Sequence, residues 1–410
     1  MGETRLAWRN VWRSPRRTAL TVAATVFAVF LVVVFVAMTR GVHEKMIEDS
    51  VRLSSGHVLV TAPGYLQKRT LDEFLVLDDA AVHTLDTLPE VVGWAPRVVS
   101  FVLLSRDVTS RGVAVMGVDP ARESTVTTLS TRVVDGHFIR GGSPHEIVIG
   151  ERLAERLGAS VGDQLLLYGV AYTLETAYDL YTVVGLLRLP DARLERSMAI
   201  VSLADLQEFL VFGDRISEIA VLAESSERTG ALRDALRRGL AMLDSRPVFH
   251  TWREVMPDLE QLIVLDDLGF YVMVAILITV VGFGILNTIL MAVLERQREL
   301  GVMLAVGLRP AAVFRIVFLE SLMLAAVGLV FGLVLAVPTA LWFEAHPIHV
   351  GGTMAATFEF VGMEPVIVFR LTSSTLWKSS LLILAVAAVA ALYPALKASR
   401  ANPVDALRTI

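Results

Sequence analysis

Four long apolar stretches occur along this chain, each with few or no charged residues. A bilayer core of about 30 Å requires about 20 apolar residues in a helix. The stretches that meet this requirement are predicted as membrane spans at positions 19–40, 269–293, 316–343 and 377–396. Within the third, Glu320 is an ionisable residue in an otherwise apolar run. The pattern therefore predicts an α-helical membrane protein with four transmembrane helices.

The long segment between the first and second spans has a different pattern. In residues 41–268, short β-branched runs alternate with helical periodicity, which favours an α+β domain. The runs predicted as strands are GHVLVTA, GVAVMGV, HEIVIG, QLLLYGV, YTVVGLL, MAIVSL and EIAVLAE. The segment IGERLAERLGA predicts a helix that Gly158 ends. We expect a base domain with a lobe inserted near 118–196, and helices at both ends of the domain that extend from the spans as stalks.

Charge is distributed unevenly, and this predicts the orientation. The chain is 54% hydrophobic and 19% charged, and 34 acidic residues outnumber 22 basic ones in residues 41–268. Basic residues concentrate before the first span, between the second and third, and after the fourth, which places these segments in the cytoplasm. The predicted cytoplasmic segments are an amphipathic helix at 1–18, a helix and loop at 294–315, and a tail at 397–410. The 41–268 domain and a loop at 344–376 then lie outside.

Motifs for catalysis or cofactor binding are missing from the sequence. None of the four lysines follows a glycine, so there is no phosphate-binding G-K-[ST] loop. There is no G-x-S-x-G or H-E-x-x-H motif, and no cysteine. We therefore predict a non-catalytic protein with no directly bound cofactor, no metal site and no nucleic-acid partner.

The segment LERQRELGVMLAVG contains both acidic and basic residues and lies between two apolar spans. Glu295, Arg298 and Glu299 lie near one helical face, with Arg296 beside it, and Gly307 can end the helix. We predict a short amphipathic helix, continuous with the second span, that docks a cytoplasmic partner. The alternative is a charged loop without a partner.

Two polar residues fall inside predicted spans, Asn287 and Glu320. An ionisable group within a span is costly and usually faces protein or water. Glu320 follows Arg315 by about one helical turn, so it is expected to pair with an arginine near the cytoplasmic surface. The alternatives are a role in transmitting motion or in a proton or substrate relay.

Several motifs resemble those of one known family. The segment NTILMAVLERQRELGVMLAVGLRPAAVFRIVFLES is similar to the signature of FtsX-like/MacB-type (type VII) ABC transporter permeases. The N-terminal LAWRNVWRSPRRTALT and the C-terminal YPALKASRANPVDALR resemble the same family's ends. Within the outer domain, SSGHVLVTAPGY, GVAVMGVDP and VIGERLAERLGASVGDQLLL are similar to the periplasmic domain. They are closest to the lipoprotein-releasing LolC/LolE branch.

This resemblance implies an architecture and a mechanism. Such permeases dimerise with a second copy or a paralogue in the bacterial inner membrane. They recruit a separate cytoplasmic ATPase, which uses ATP and Mg, and have a porter-like periplasmic domain. The resemblance carries a coupling role, contact with the ATPase, onto the residues Glu295, Arg296, Arg298, Glu299, Gly301 and Gly307.

Two functions are compatible with these features. The first is a permease subunit that couples ATP hydrolysis to periplasmic movement (mechanotransmission) and extracts or exports lipoprotein or another amphiphile. A lipoprotein or a periplasmic carrier would then be a further partner. The second is an FtsX-like signalling scaffold that activates a periplasmic cell-wall hydrolase. The large outer domain favours the first.

Overall fold

The computed structural model describes residues 15–241, 243, 245–353, 355 and 365–400. The predicted N-terminal helix and C-terminal tail lie largely outside this range. The chain divides into two compact units. A helical unit holds residues 15–43, 263–349 and 366–400, and an α/β unit holds residues 44–262 with the described part of 350–365.

The α-helices of the described residues range from single turns to helices of 39 residues. In chain order they are α1 Pro15–Leu53, α2 Tyr65–Lys68, α3 Asp79–Thr87, α4 Pro120–Val126, α5 Glu151–Leu157, α6 Ala192–Glu195, α7 Leu203–Phe209, α8 Thr229–Gly239, α9 Trp252–Val255, α10 Pro257–Glu295, α11 Gln297–Ala305, α12 Pro310–Ala345 and α13 Ser373–Ser399.

The strands lie mainly in the α/β unit. In chain order they are β1 Val58–Thr61, β2 Leu75–Val76, β3 Gly93–Arg106, β4 Thr109–Val118, β5 Val133–Gly136, β6 Glu146–Gly150, β7 Gln164–Val170, β8 Thr176–Leu187, β9 Met198–Ser202, β10 Arg215–Ile216, β11 Glu218–Leu222, β12 Val248–Thr251, β13 Ile348–His349 and β14 Val366–Ile367.

Four of the described helices, α1, α10, α12 and α13, are long and apolar enough to cross a membrane. They coincide with the four predicted spans. Helix α1 continues beyond the first predicted span to Leu53, and α10 begins before the second, at Pro257. At these two ends the helices are therefore longer than the apolar stretches.

Small residues let the helices of the helical unit approach closely. A Cβ on Gly328 would lie 2.5 Å from the Thr25 Cβ, and one on Gly332 would lie 2.5 Å from the Val29 Cβ. The two glycines are four residues apart on α12, so they form one groove that receives α1. On α13, Ala391 and Ala395 are fully buried and contribute to the packing of the helices.

The α/β unit is built on one ten-stranded sheet that closes partly on itself. Strands β3, β4, β9, β6, β8 and β7 pair in that order, and β7 pairs again with β3, so these six form a barrel. The first half of β3 instead pairs with β11, which continues the sheet through β1 to β12. The long strand β3 therefore belongs to both the barrel and the open sheet.

All seven predicted strands form, and the helix at α5 ends with Gly158 in the left-handed conformation. Strand β8 alternates fully buried and partly buried side chains over its second half, as expected for a barrel wall. Strand β3 was not among the predicted strands, although the stretch after Pro96 is rich in β-branched residues. The barrel takes strands from both sides of position 118, where the inserted lobe was expected to begin.

Candidate functional site

The connection between α10 and α12 is a separate short helix with defined ends. Helix α10 stops at Glu295, and Arg296 adopts φ −103° and ψ 13° before α11 begins at Gln297. The sequence predicted that this helix continues directly from the second span. That prediction is wrong, because Arg296 separates the two helices. The cause is local, since the backbone of Arg296 leaves the helical conformation.

The end of α11 follows the sequence expectation. Gly307 has φ +99°, a conformation that favours glycine, and its N–H donates to the Leu304 carbonyl at 3.1 Å. The Leu308 N–H donates to the Met303 carbonyl at 3.0 Å, which completes a Schellman motif. Pro310 then begins α12 at a position where no N–H is needed.

The side chains of α11 divide into a packed face and an exposed face. Leu300 and Gly301 are buried, and Leu300 packs in one apolar cluster with Val313 and Val317 of α12. The exposed face carries Arg298 and Val302 of α11, with the exposed residues Glu295 just before the helix and Val306 just after it. These four residues form the exposed stripe of the connection, and Gly301 is not part of it.

Arg296 is directed into the protein rather than along the stripe. Its Nη1 donates to Glu320 Oε2 at 3.0 Å and to Oε1 at 3.2 Å, and its Nε donates to Glu299 Oε2 at 3.2 Å. The Arg296 side chain is 17% exposed and that of Glu320 10%. Glu320 thus pairs with an arginine as predicted, but this arginine comes from the preceding connection and lies 24 residues earlier.

A cavity lies beside this ion pair. Its wall includes both charged side chains and three hydroxyl-bearing residues, Thr21, Thr288 and Ser321. Asn287, the second polar residue predicted inside a span, lies in α10 with its side chain exposed. The structure therefore brings Arg296, Glu299 and Glu320 together and places Asn287 apart from them.

The α/β unit holds a second charged cluster that the sequence did not indicate. Arg97 makes a bidentate pair with Glu123, with Nη2–Oε1 at 2.7 Å and Nε–Oε2 at 3.0 Å. Its Nη1 lies 3.6 Å from Glu218 Oε1 and donates to the Ser54 carbonyl. All three charged side chains are at least nine-tenths buried.

Burial raises the pKa of the Glu218 carboxyl, and the nearby Arg97 guanidinium opposes this change. Glu123 also accepts a hydrogen bond from the Thr127 hydroxyl at 2.8 Å. Strand β3, which brings Arg97 to the cluster, could have been found as a long β-branched run. The partners of Arg97, Glu123 and Glu218, could not have been found from the sequence, since they lie 26 and 121 residues further along the chain.

Comparison with known families agrees with this architecture. The model of the MacB-like periplasmic core domain matches residues 18–238, and the model of the FtsX-like permease C-terminal region matches residues 271–403. The chain belongs to the MacB/FtsX family of ABC transporter permeases. It is an inner-membrane protein with a periplasmic domain.

Relatives at the level of the whole chain are permeases of lipoprotein-releasing systems. The chain is similar to the transmembrane protein LolC of Xylella fastidiosa, with 22% identity over 93% of this chain and 91% of the relative. It is also similar to LolE of Haemophilus influenzae, with 24% identity over 78% of each chain. The solved periplasmic region of MacB from Actinobacillus actinomycetemcomitans aligns with 52% of this chain at 12% identity and a TM-score of 0.36.

Proposed function

We propose that the chain is the permease subunit of an ATP-driven complex and transmits movement from a cytoplasmic ATPase to its periplasmic domain. The observation that carries this proposal is the exposed stripe of the connection, which lies between two span-length helices. The stripe presents both charged and apolar side chains at the surface of the connection. The ATPase would supply the ATP and Mg chemistry.

The remaining parts of the complex follow from the same proposal. Both termini and α11 lie in the cytoplasm, where basic residues concentrate. The permease works as a dimer, with a second copy or with a paralogue. The relatives are named for lipoprotein release and match over 91% and 78% of their length, so the cargo we propose is a lipoprotein or another amphiphile.

The docking role is tested by reversing the charges of the stripe. In Glu295→Lys/Arg298→Glu, we expect the protein to insert normally and the ATPase to be lost from affinity pull-downs in mild detergent. Reversal of rim charges changes association strongly because like charges then face each other. The matched control is Glu224→Lys/Arg228→Glu, an exposed ion pair of the α/β unit with 2.9 Å between its atoms. Normal recovery of the ATPase with the stripe variant would refute the docking assignment.

The same pull-down identifies the cargo by mass spectrometry. Lipoproteins or acylated molecules together with the ATPase would support the transporter. An ATPase together with a cell-wall hydrolase, and without cargo, would instead support a signalling scaffold of the FtsX type.

A further inference from the structure

Arg296 is the residue that separates α10 from α11, and its backbone is not helical. Its backbone follows the last residue of α10, and its side chain reaches both α11 and α12. A single guanidinium thus contacts Glu299 of the short helix and Glu320 of the long one. Because its five N–H donors have a fixed planar arrangement, these contacts define an orientation as well as a distance.

The packing of α11 against α12 leaves free space beside the ion pair. Leu300 contacts the apolar cluster formed with Val313, Val317 and Ala395. A cavity lies beside Arg296 and Glu320, and Leu300 and Val317 also line it. The ion pair therefore adds a polar contact between α11 and α12 at a place where the apolar packing is incomplete.

We propose that Arg296 and Glu320 are positioning residues that fix α11 to α12, so that a force applied to the exposed stripe moves α12. This proposal rests on the proposed function for the origin of the force, while the attachment of α11 to α12 stands independently. Arg296 therefore acts within the permease and does not bind the ATPase.

The attachment is tested by distance measurements on the full chain in lipid nanodiscs. The chain has no cysteine, so Val306→Cys just after α11 and Leu341→Cys on α12 can carry two spin labels without other changes. We expect a narrow distance distribution in the otherwise unchanged protein and a broad one in Glu320→Gln and in Arg296→Gln. The charge swap Arg296→Glu/Glu320→Arg should restore the narrow distribution.

A matched control comes from the other end of the same helix. Glu344 of α12 pairs with Arg370 at 3.3 Å, and Glu344→Gln/Arg370→Gln should leave the α11–α12 distribution unchanged. Narrow distributions in both single variants of the Arg296–Glu320 pair would overturn the proposal. So would a swap that folds, as judged by thermal unfolding, and remains as broad as the single variants.

The transmission of force is tested on the complex with its ATPase. A spin label at Val108→Cys, fully exposed between β3 and β4, reports on the periplasmic domain. Upon trapping of ATP hydrolysis with vanadate, we expect a change of its spectrum that is largely lost in Arg296→Gln. ATPase recovery should be unchanged in that variant, because Glu295 and Arg298 are intact.

The outcomes separate the two proposals. If the unchanged chain recovers no ATPase, the proposed function fails, while the distance measurement still decides the attachment. If Arg296→Gln recovers the ATPase and retains the full spectral change, the positioning role is refuted and the docking role stands.

Discussion

Two arginine–glutamate clusters of this protein differ in how completely they are buried. In the α/β unit, Arg97 is 2% exposed and contacts two carboxylates and a backbone carbonyl. In the helical unit, Arg296 is 17% exposed and lies beside a cavity. Burial makes the first arrangement costly to disturb, while the second can change with a smaller loss of free energy.

The surroundings of each cluster match this difference. Arg97 lies in β3 and contacts two other elements. It binds the carbonyl of Ser54, just after the end of α1, and the carboxylate of Glu123 in α4. The Thr128 N–H donates to the Arg52 carbonyl at 2.9 Å, so two carbonyls at this helix end are satisfied by the domain. The buried Arg97 cluster suits a rigid junction where α1 enters the folded domain. The Arg296–Glu320 pair, with free space beside it, suits two helices that move together.

The largest effect is expected for Arg97→Met. This substitution leaves Glu123 and Glu218 buried without their cation, and breaking a buried ion pair from one side typically costs about 3–5 kcal/mol. The loss is measured by unfolding of the full chain in detergent, followed through the buried Trp94 and Trp252. Arg111→Met, an exposed arginine on the neighbouring strand β4, is the control and should have little effect. A loss no larger than that of the control would remove the contrast between the two clusters.

A smaller effect is expected on how the stability of the α/β unit changes with pH. The pKa of Glu218 is raised by burial, so the folded state binds this proton more tightly than the unfolded state. Stability should therefore fall as the pH rises from the usual carboxyl pKa to the raised one, by at most about 1.4 kcal/mol per pH unit. Glu218→Gln should remove this fall, and Glu224→Gln, at an exposed position, should not. An unchanged pH profile for Glu218→Gln would show that Glu218 is ionised across the range.

The smallest effect on stability is expected for Arg296→Gln. The Arg296–Glu320 pair is less completely buried than the Arg97 cluster and lies beside a cavity, so we expect a loss smaller than that of about 3–5 kcal/mol for a fully buried pair. Thermal unfolding in detergent should shift slightly, in contrast to the broadened spin-label distances expected for the same variant. A loss as large as that of Arg97→Met would mean that the pair holds the helical unit together and that the two clusters are equivalent.

Much of the architecture could be predicted because it depends on local pattern. A stretch of about 20 apolar residues has no alternative to a helix in a bilayer, so all four spans follow from composition. The end of α11 was also predictable, since Gly307 and Pro310 act through their own backbone constraints. Seven strands of the α/β unit were recognised from their β-branched runs, whereas β3 was missed although it carries such a run.

The tertiary structure decided which distant residues meet. Arg296 pairs with Glu320 because α10 ends one residue before it, and Arg97 meets Glu123 and Glu218 because β3 pairs with β11 and packs near α4. A side chain's sequence neighbours determine its helix or strand, but its partner across the fold depends on how elements pack. The sequence alone therefore determined the four spans, the positions of the basic segments and the position of the short helix α11. Only the fold determined that Gly301 is buried and that Arg296 faces inward.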